Sequence, residues 1–251
     1  MARKRLLAGA AGLGIAAALG VPAVRQRIWS RVLKLPPAQN AVRAERNIPV
    51  PVGDGVTLTT DHYAPRGPGA FPTILIRSPY GKWAEAGIAG MIWGLLAQRM
   101  AERGYHVVVQ LTRGRFGSGG TFEPLVDEAT DGMATLEWLR AQRWFDGRLG
   151  TWGPSYLGYV QWALAAAAPP ELQAMVPMVT GAQLGSLTHM DGAFGLDTLL
   201  TWVGITETQS TPENPTPSWP AMFLAVAGME KRLARGFRQL PLGAADAQVV
   251  G

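Results

Sequence analysis

Between residues 47 and 180 the hydrophobic positions change period several times, and each change marks an element. Asn47–Val52 and Val56–Tyr63 alternate apolar and polar residues around Gly53-Asp54-Gly55, which predicts two antiparallel strands joined by a tight turn. Pro72-Thr-Ile-Leu-Ile-Arg77 and His106-Val-Val-Val-Gln-Leu111 are short, continuous apolar runs, the kind that a parallel sheet buries on both faces. Between them, residues from about Ala86 to Arg103 predict a helix that Gly104 ends. Thr112 to Gly120 is a glycine-rich loop. Met133, Leu136, Trp138 and Leu139 then give Asp127–Gln142 the apolar stripe of an amphipathic helix. A short apolar run leads into Ser155, an alanine-rich helical stretch follows as far as Pro169-Pro170, and Ala174-Met-Val-Pro-Met-Val179 predicts a further buried strand.

Strand, helix, strand, helix, strand is the rhythm of right-handed crossovers and a mostly parallel sheet. It stops after Gly181. Asp197–Trp202 and Pro220–Arg235 predict helices, separated by a loop, Thr208 to Pro220, with four prolines. No further strand is expected. The pattern divides the chain into an N-terminal segment (1–40), an α/β core (41–181) and the beginning of a helical cap (182–251).

Composition sharpens this only when it is located. The chain of 251 residues is 47% hydrophobic, with a pI near 9.9 and a net charge of +5. Residues 1–46 carry nine Lys/Arg against one acid, net +8; the remainder carries 14 against 17, net −3. The basic character belongs to the N-terminus, so a nucleic-acid-binding face on the body is not expected. Arg3-Lys4-Arg5 precedes 19 uncharged residues, Leu6–Val24, the form of an export signal or membrane anchor, and Val21-Pro22-Ala23 is a candidate cleavage site. Arg25–Lys34 is again basic, with Ile28, Trp29, Val32 and Leu33 spaced among the cations, so residues 1–34 predict membrane association. Export or membrane attachment is the expectation, with a leader helix of a cytoplasmic protein as the alternative. Cysteine is absent, which excludes disulfides, thiolate nucleophiles and Cys-ligated zinc. No cofactor or metal motif is present; Gly114, Gly117 and Gly119-Gly120 follow a strand but do not form the spacing of a dinucleotide-binding turn.

The chemistry centres on Gly153-Pro154-Ser155-Tyr156-Leu157-Gly158. A serine on a sharp strand-to-helix corner, flanked by small residues, is the form of a hydrolase nucleophile, here with the second glycine one place late. The alternative is a serine that only caps the helix. Further motifs agree in order: Ser78-Pro79-Tyr80-Gly81-Lys82, Thr112-Arg113-Gly114-Arg115 with Ser118 and Gly120, Asp131-Gly132 with Glu137-Trp138-Leu139, Gln142 with Trp144, Asp146 and Gly147, then Trp152-Gly153, Ser155-Tyr156, Gly158, Gln161 and Trp162. From about residue 48 to 205 the chain resembles the X-Pro dipeptidyl-peptidase/cocaine-esterase family of α/β-hydrolases.

That resemblance implies a serine hydrolase of small ester or peptide substrates. Ser155 would be the nucleophile, and the backbone N–H of Tyr156 and the hydroxyl of Tyr80 the two oxyanion donors. Leu111, where the family usually has an aspartate, and Pro154, where it often has a small residue, depart from the pattern. The resemblance also implies an acid and a histidine beyond the cap, and none follows in this sequence. His62 and His106 fall in predicted strands before Ser155. His189, with Asp191 or Asp197, is a weak candidate base. The expectation is therefore a fragment, a split gene or a half completed by a second chain; a non-catalytic, membrane-attached binding module is the alternative.

Overall fold

The computed structural model describes residues 22–82, 87–183, 185, 188–210 and 227–245. The expectations for residues 1–21 and 211–226 lie outside them. The chain forms α1 (Pro22–Val32), β1 (Ala41–Gly53), β2 (Val56–Arg66), β3 (Thr73–Ser78), α2 (Gly87–Ala101), β4 (His106–Leu111), α3 (Glu128–Arg140), β5 (Leu149–Pro154), α4 (Tyr156–Ala165) and β6 (Leu172–Met178). Beyond the sheet come a two-residue hairpin, β7 (His189–Met190) and β8 (Ala193–Phe194), and helices α5 (Leu196–Gln209) and α6 (Met229–Gly236).

Six strands make one sheet in the order β1-β2-β4-β3-β5-β6. β1 and β2 are antiparallel, β2 joins β4 antiparallel, and β4, β3, β5 and β6 are mutually parallel. The fold is that of an α/β-hydrolase-type mixed, mostly parallel sheet. Every residue of β4 is buried, as the continuous Val107-Val108-Val109 run requires. Alternate side chains divide the core: Ile76, Val107 and Val109 join Ala97 and Ala101 of α2, whereas Leu75 and Val108 join Leu136 and Leu139 of α3 and Leu164 of α4.

Three expectations need correction. β6 is not buried: among the described residues it pairs only with β5, and Val176 is 45% exposed and the adjoining Val179 90% exposed. An apolar run cannot distinguish a central strand from an edge, because both use the same residues. β7 and β8 are strands where none was expected; Asp191-Gly192, both at positive φ, close that hairpin. β1 begins at Ala41, six residues before the alternation does. Residues 41–46 are mostly exposed and are held by pairing with β2, from Ala41↔Arg66 to Glu45↔His62.

The topology brings three loops to one edge. Those following β3, β4 and β5 all leave the carboxyl ends of neighbouring parallel strands, where open α/β sheets place their ligands.

Candidate active site

Ser155 sits at the corner between β5 and α4 with φ 57° and ψ −126°. L-residues avoid that region, so the turn is strained and must be held by its surroundings. The hold is visible. Ser155 N–H donates to Met178 O at 2.8 Å, and Gly158 N–H donates back to Ser155 O at 2.9 Å. Gln161, buried in α4, accepts from Thr151 Oγ1 and Val176 N and donates to Gly153 O and Leu157 O, so one side chain ties the helix to both strands beneath it. Two glycines permit the approach. A Cβ at Gly153, where φ is +151°, would stand 2.4 Å from Leu157 Cβ; one at Gly158 would meet Thr180 Cγ2 at 2.5 Å. The displaced second glycine therefore serves helix-to-strand packing.

The Ser155 side chain is exposed and makes no capping hydrogen bond. That counts against a helix cap. Among the described residues no acceptor takes the N–H of Tyr156, one of the free donors with which every helix begins.

Tyr80 lies two residues beyond β3, in the strand next to Ser155's own. Its loop is gripped from two sides. Lys82 Nζ reaches Asp61 Oδ1 at 2.8 Å and Asn47 Oδ1 at 2.7 Å, and Arg115 Nε donates to Pro79 O at 3.0 Å. Trp202 Nε1, from α5, donates to Tyr80 Oη at 2.9 Å. An indole N–H can only donate, so the tyrosine oxygen accepts and its own proton remains available for another acceptor. The Tyr80 and Tyr156 rings meet edge-on at 6.5 Å, and Trp202 lies nearly parallel to Tyr156 at 6.0 Å.

Tyr156 is itself anchored. Its hydroxyl donates to Glu128 Oε1 at 2.6 Å and accepts from Leu125 N at 2.9 Å. Burial, then the charge of Glu128, push the phenol pKa well above its ordinary value. Glu128 pairs in turn with buried Arg77 at 2.8 Å, and Asp131, 1% exposed, accepts Arg113 at 2.6 Å. Under the Ser155–Tyr80 edge lies a web of paired buried charges, which fixes the residue after the serine.

Arg115 was visible in the sequence only as part of a motif. It is fully buried, and besides Pro79 O it donates to Ser210 O at 2.6 Å and Thr206 O at 2.8 Å. Its guanidinium lies 4.8 Å over the Phe122 ring. Burial pulls its pKa down to about 10, against the opposing pull of Glu207. One cation thus fastens the Tyr80 loop to the end of α5, the helix that carries Trp202. Neither Arg115 nor Trp202 could be assigned these partners from spacing, because the contacts span 36 to 122 positions.

The histidines separate clearly. His189 is exposed in the β7–β8 hairpin; its Nδ1 lies 3.0 Å from Thr188 Oγ1 and its ring 5.3 Å from Phe194. Asp191 occupies the turn at φ 51°. Among the described residues no contact joins His189, Asp191 or Asp197 to Ser155. His62 and His106 lie at the opposite end of the sheet, Nε2 to Nδ1 at 3.0 Å, stacked against Trp144. Among the described residues no group of three or more His, Asp or Glu is placed to hold a metal ion.

The histidine pair carries a prediction. Burial, then His106 and Arg43, push the His62 pKa down to about 4, and burial also lowers His106. The unfolded chain takes up a proton near pH 6.5 that the folded chain refuses until pH 4. The contribution of His62 is therefore complete above pH 6.5 and is lost as pH falls toward 4, about 3 kcal/mol in all. Denaturant midpoints across that window should fall less steeply for His62→Gln than for the parent. Equal slopes would clear the pair of this role.

The chain is 34% identical over 203 residues to the cocaine esterase of Rhodococcus sp. (strain MB1 Bresler), covering 78% of this chain and 34% of the esterase. An aminopeptidase from a marine-sediment Thaumarchaeota archaeon is similar in structure, with a TM-score of 0.54 and 26% identity over 72% of this chain and 32% of that one. A CocE/NonD family hydrolase from Staphylococcus aureus gives a TM-score of 0.45 and 30% identity, covering 53% and 26%. The chain spans about a third of the length of the esterase and of the aminopeptidase. Residues 54–246 match the X-Pro dipeptidyl-peptidase (S15 family) pattern, from the β1–β2 turn to beyond α6. A match that takes in the strained serine, the Tyr80 loop and helices α5 and α6 alike makes this chain a member of the X-Pro dipeptidyl-peptidase (S15) family.

Proposed function

We propose that this chain carries the nucleophile and oxyanion site of a serine hydrolase acting on ester or amide bonds. The observation that carries this reading is the strained, exposed Ser155, whose hydroxyl makes no capping hydrogen bond, beside the N–H of Tyr156, which finds no acceptor among the described residues. Ser155 Oγ attacks the substrate carbonyl and forms a C–O bond as its proton passes to a base. The carbonyl oxygen becomes an oxyanion, which the Tyr156 N–H and the Tyr80 O–H stabilise. Collapse expels the alcohol or amine with that proton and leaves an acyl-enzyme, which water hydrolyses. Trp202 supports the role of Tyr80 by occupying its oxygen as an acceptor.

The base and its acid are assigned to polypeptide beyond these residues, either a continuation or a second chain. Such a segment would add a parallel strand to the open side of β6, where Val176 is exposed. The similar proteins are named as an esterase and an aminopeptidase, which supports both ester and peptide substrates.

The test is a fluorophosphonate probe, applied to the chain alone and to the chain co-expressed with whatever polypeptide is encoded directly downstream. Slow modification at Ser155 alone, accelerated by orders of magnitude in the complex, is the expected result. A complex in which residue 155 stays unmodified would leave the non-catalytic binding module as the better reading.

A further inference from the structure

Helix α1 is held to the body by one face only. Gln26 Nε2 donates to Asn40 O at 3.3 Å, and Arg103 Nη2 donates to Ser30 Oγ at 2.9 Å and also to Pro36 O. The chain just beyond is pinned where Gln39 and Asn40 N–H groups donate to Glu102 O. Gln26 and Ser30 are one turn apart, so they define the inner face. The helix ends firmly: Lys34 adopts φ 51°, and Leu35 N–H reaches back to Ser30 O at 2.8 Å. This closure fixes which side chains face away.

At 100° per residue, Ile28 and Val32 lie opposite Gln26 and Ser30, with Arg27 and Arg31 along one flank and Arg25 along the other. Ile28 is 40% and Val32 64% exposed, and Leu33 continues the strip past the helix end. Arg25, Arg27, Arg31 and Lys34 are all exposed. Residues 22–40 contain four cations and no acid, whereas residues 47–251 carry a net charge of −3. An apolar strip between rows of cations, on a rigidly docked helix, suits a surface with anionic groups outside and hydrocarbon beneath. A nucleic acid would use the cations and leave the strip in water. The helix begins within the last three residues of the uncharged run Leu6–Val24.

We propose that the outer face of α1 seats this chain on the surface of an anionic phospholipid bilayer, with Ile28, Val32 and Leu33 entering the interface and Arg25, Arg27, Arg31 and Lys34 meeting the headgroups. This inference does not depend on the hydrolase reading. Among the described residues no helix is long and apolar enough to cross a membrane, and the proposed contact requires none.

The experiment is co-sedimentation of the full chain with vesicles of phosphatidylcholine alone or with about a third of the lipid replaced by phosphatidylglycerol. Binding should require the anionic lipid and weaken with added salt. Each cation removed should cost about fivefold, so Arg27→Gln with Arg31→Gln should weaken partitioning by roughly 25-fold. Ile28→Ser with Val32→Ser should weaken it too, which an acidic protein or nucleic acid bound to the same cations would not require. All four residues are exposed, so unchanged unfolding midpoints are expected and confirm that the variants fold. Equal binding to both vesicle types would assign attachment to Leu6–Val24 and overturn the proposal. No binding, or binding that the Arg27/Arg31 pair leaves untouched, would overturn it as well.

Discussion

Ser155→Gly is expected to abolish covalent modification by the fluorophosphonate probe while making the folded chain more stable by about 1 kcal/mol. The two effects share one cause. At φ 57° and ψ −126° the serine occupies backbone space that glycine enters without a steric penalty. Strain of this kind costs on the order of 1–3 kcal/mol, offset in part by the greater freedom of glycine in the unfolded chain. Ser155→Ala keeps the strain and removes the hydroxyl, so it should lose the modification with little change in stability. If Ser155 is the nucleophile as proposed, either variant should lower kcat by a factor on the order of 10⁶, as removal of the nucleophile does in subtilisin. The informative comparison is between the unfolding midpoints of the two variants. If glycine destabilises relative to alanine, the corner is not strained in solution and the nucleophile reading loses its main support.

Arg115→Met should destabilise the chain by about 3 kcal/mol, with the loss concentrated in α5. The guanidinium donates to Pro79, Thr206 and Ser210 carbonyls in a site closed to water. A buried carbonyl left without a donor costs about 1–3 kcal/mol. Three such losses are partly offset, because burying the cation was itself costly. Arg115→Lys should recover less than half, since an ammonium lacks the planar fork that spans three acceptors. Amide hydrogen exchange resolves where the loss falls. Protection should drop across residues 196–209 and around Tyr80, while β4 keeps its own. Uniform loss across the sheet would mean that Arg115 supports the core and does not specifically join α5 to the Tyr80 loop.

The web around Glu128, Arg77, Asp131 and Arg113 gives the site its stiffness. Both acids are nearly inaccessible and both are paired. Pairs of this kind add little net stability but make one arrangement much better than its neighbours. Under the proposed hydrolase reading, that would hold the N–H of Tyr156 in a fixed direction.

Local sequence determined the central strands, the helices between them and the corner at Ser155. Continuous apolar runs, amphipathic periods and glycine-bounded turns act over a few residues, so their reading needs no knowledge of the rest of the molecule. The ordered motifs also determined the family. The partners of side chains distant in the sequence were not legible: Trp202 on Tyr80, Arg115 on the cap, Lys82 on Asp61, and His62 on His106 and Trp144. The apolar run of β6 predicts burial, and only the lack of a further expected strand pointed to an open edge there. Only the tertiary structure decided these, because burial and hydrogen-bond partnership are settled by which segments the sheet order makes neighbours, and strand order is not written in the period of any single segment.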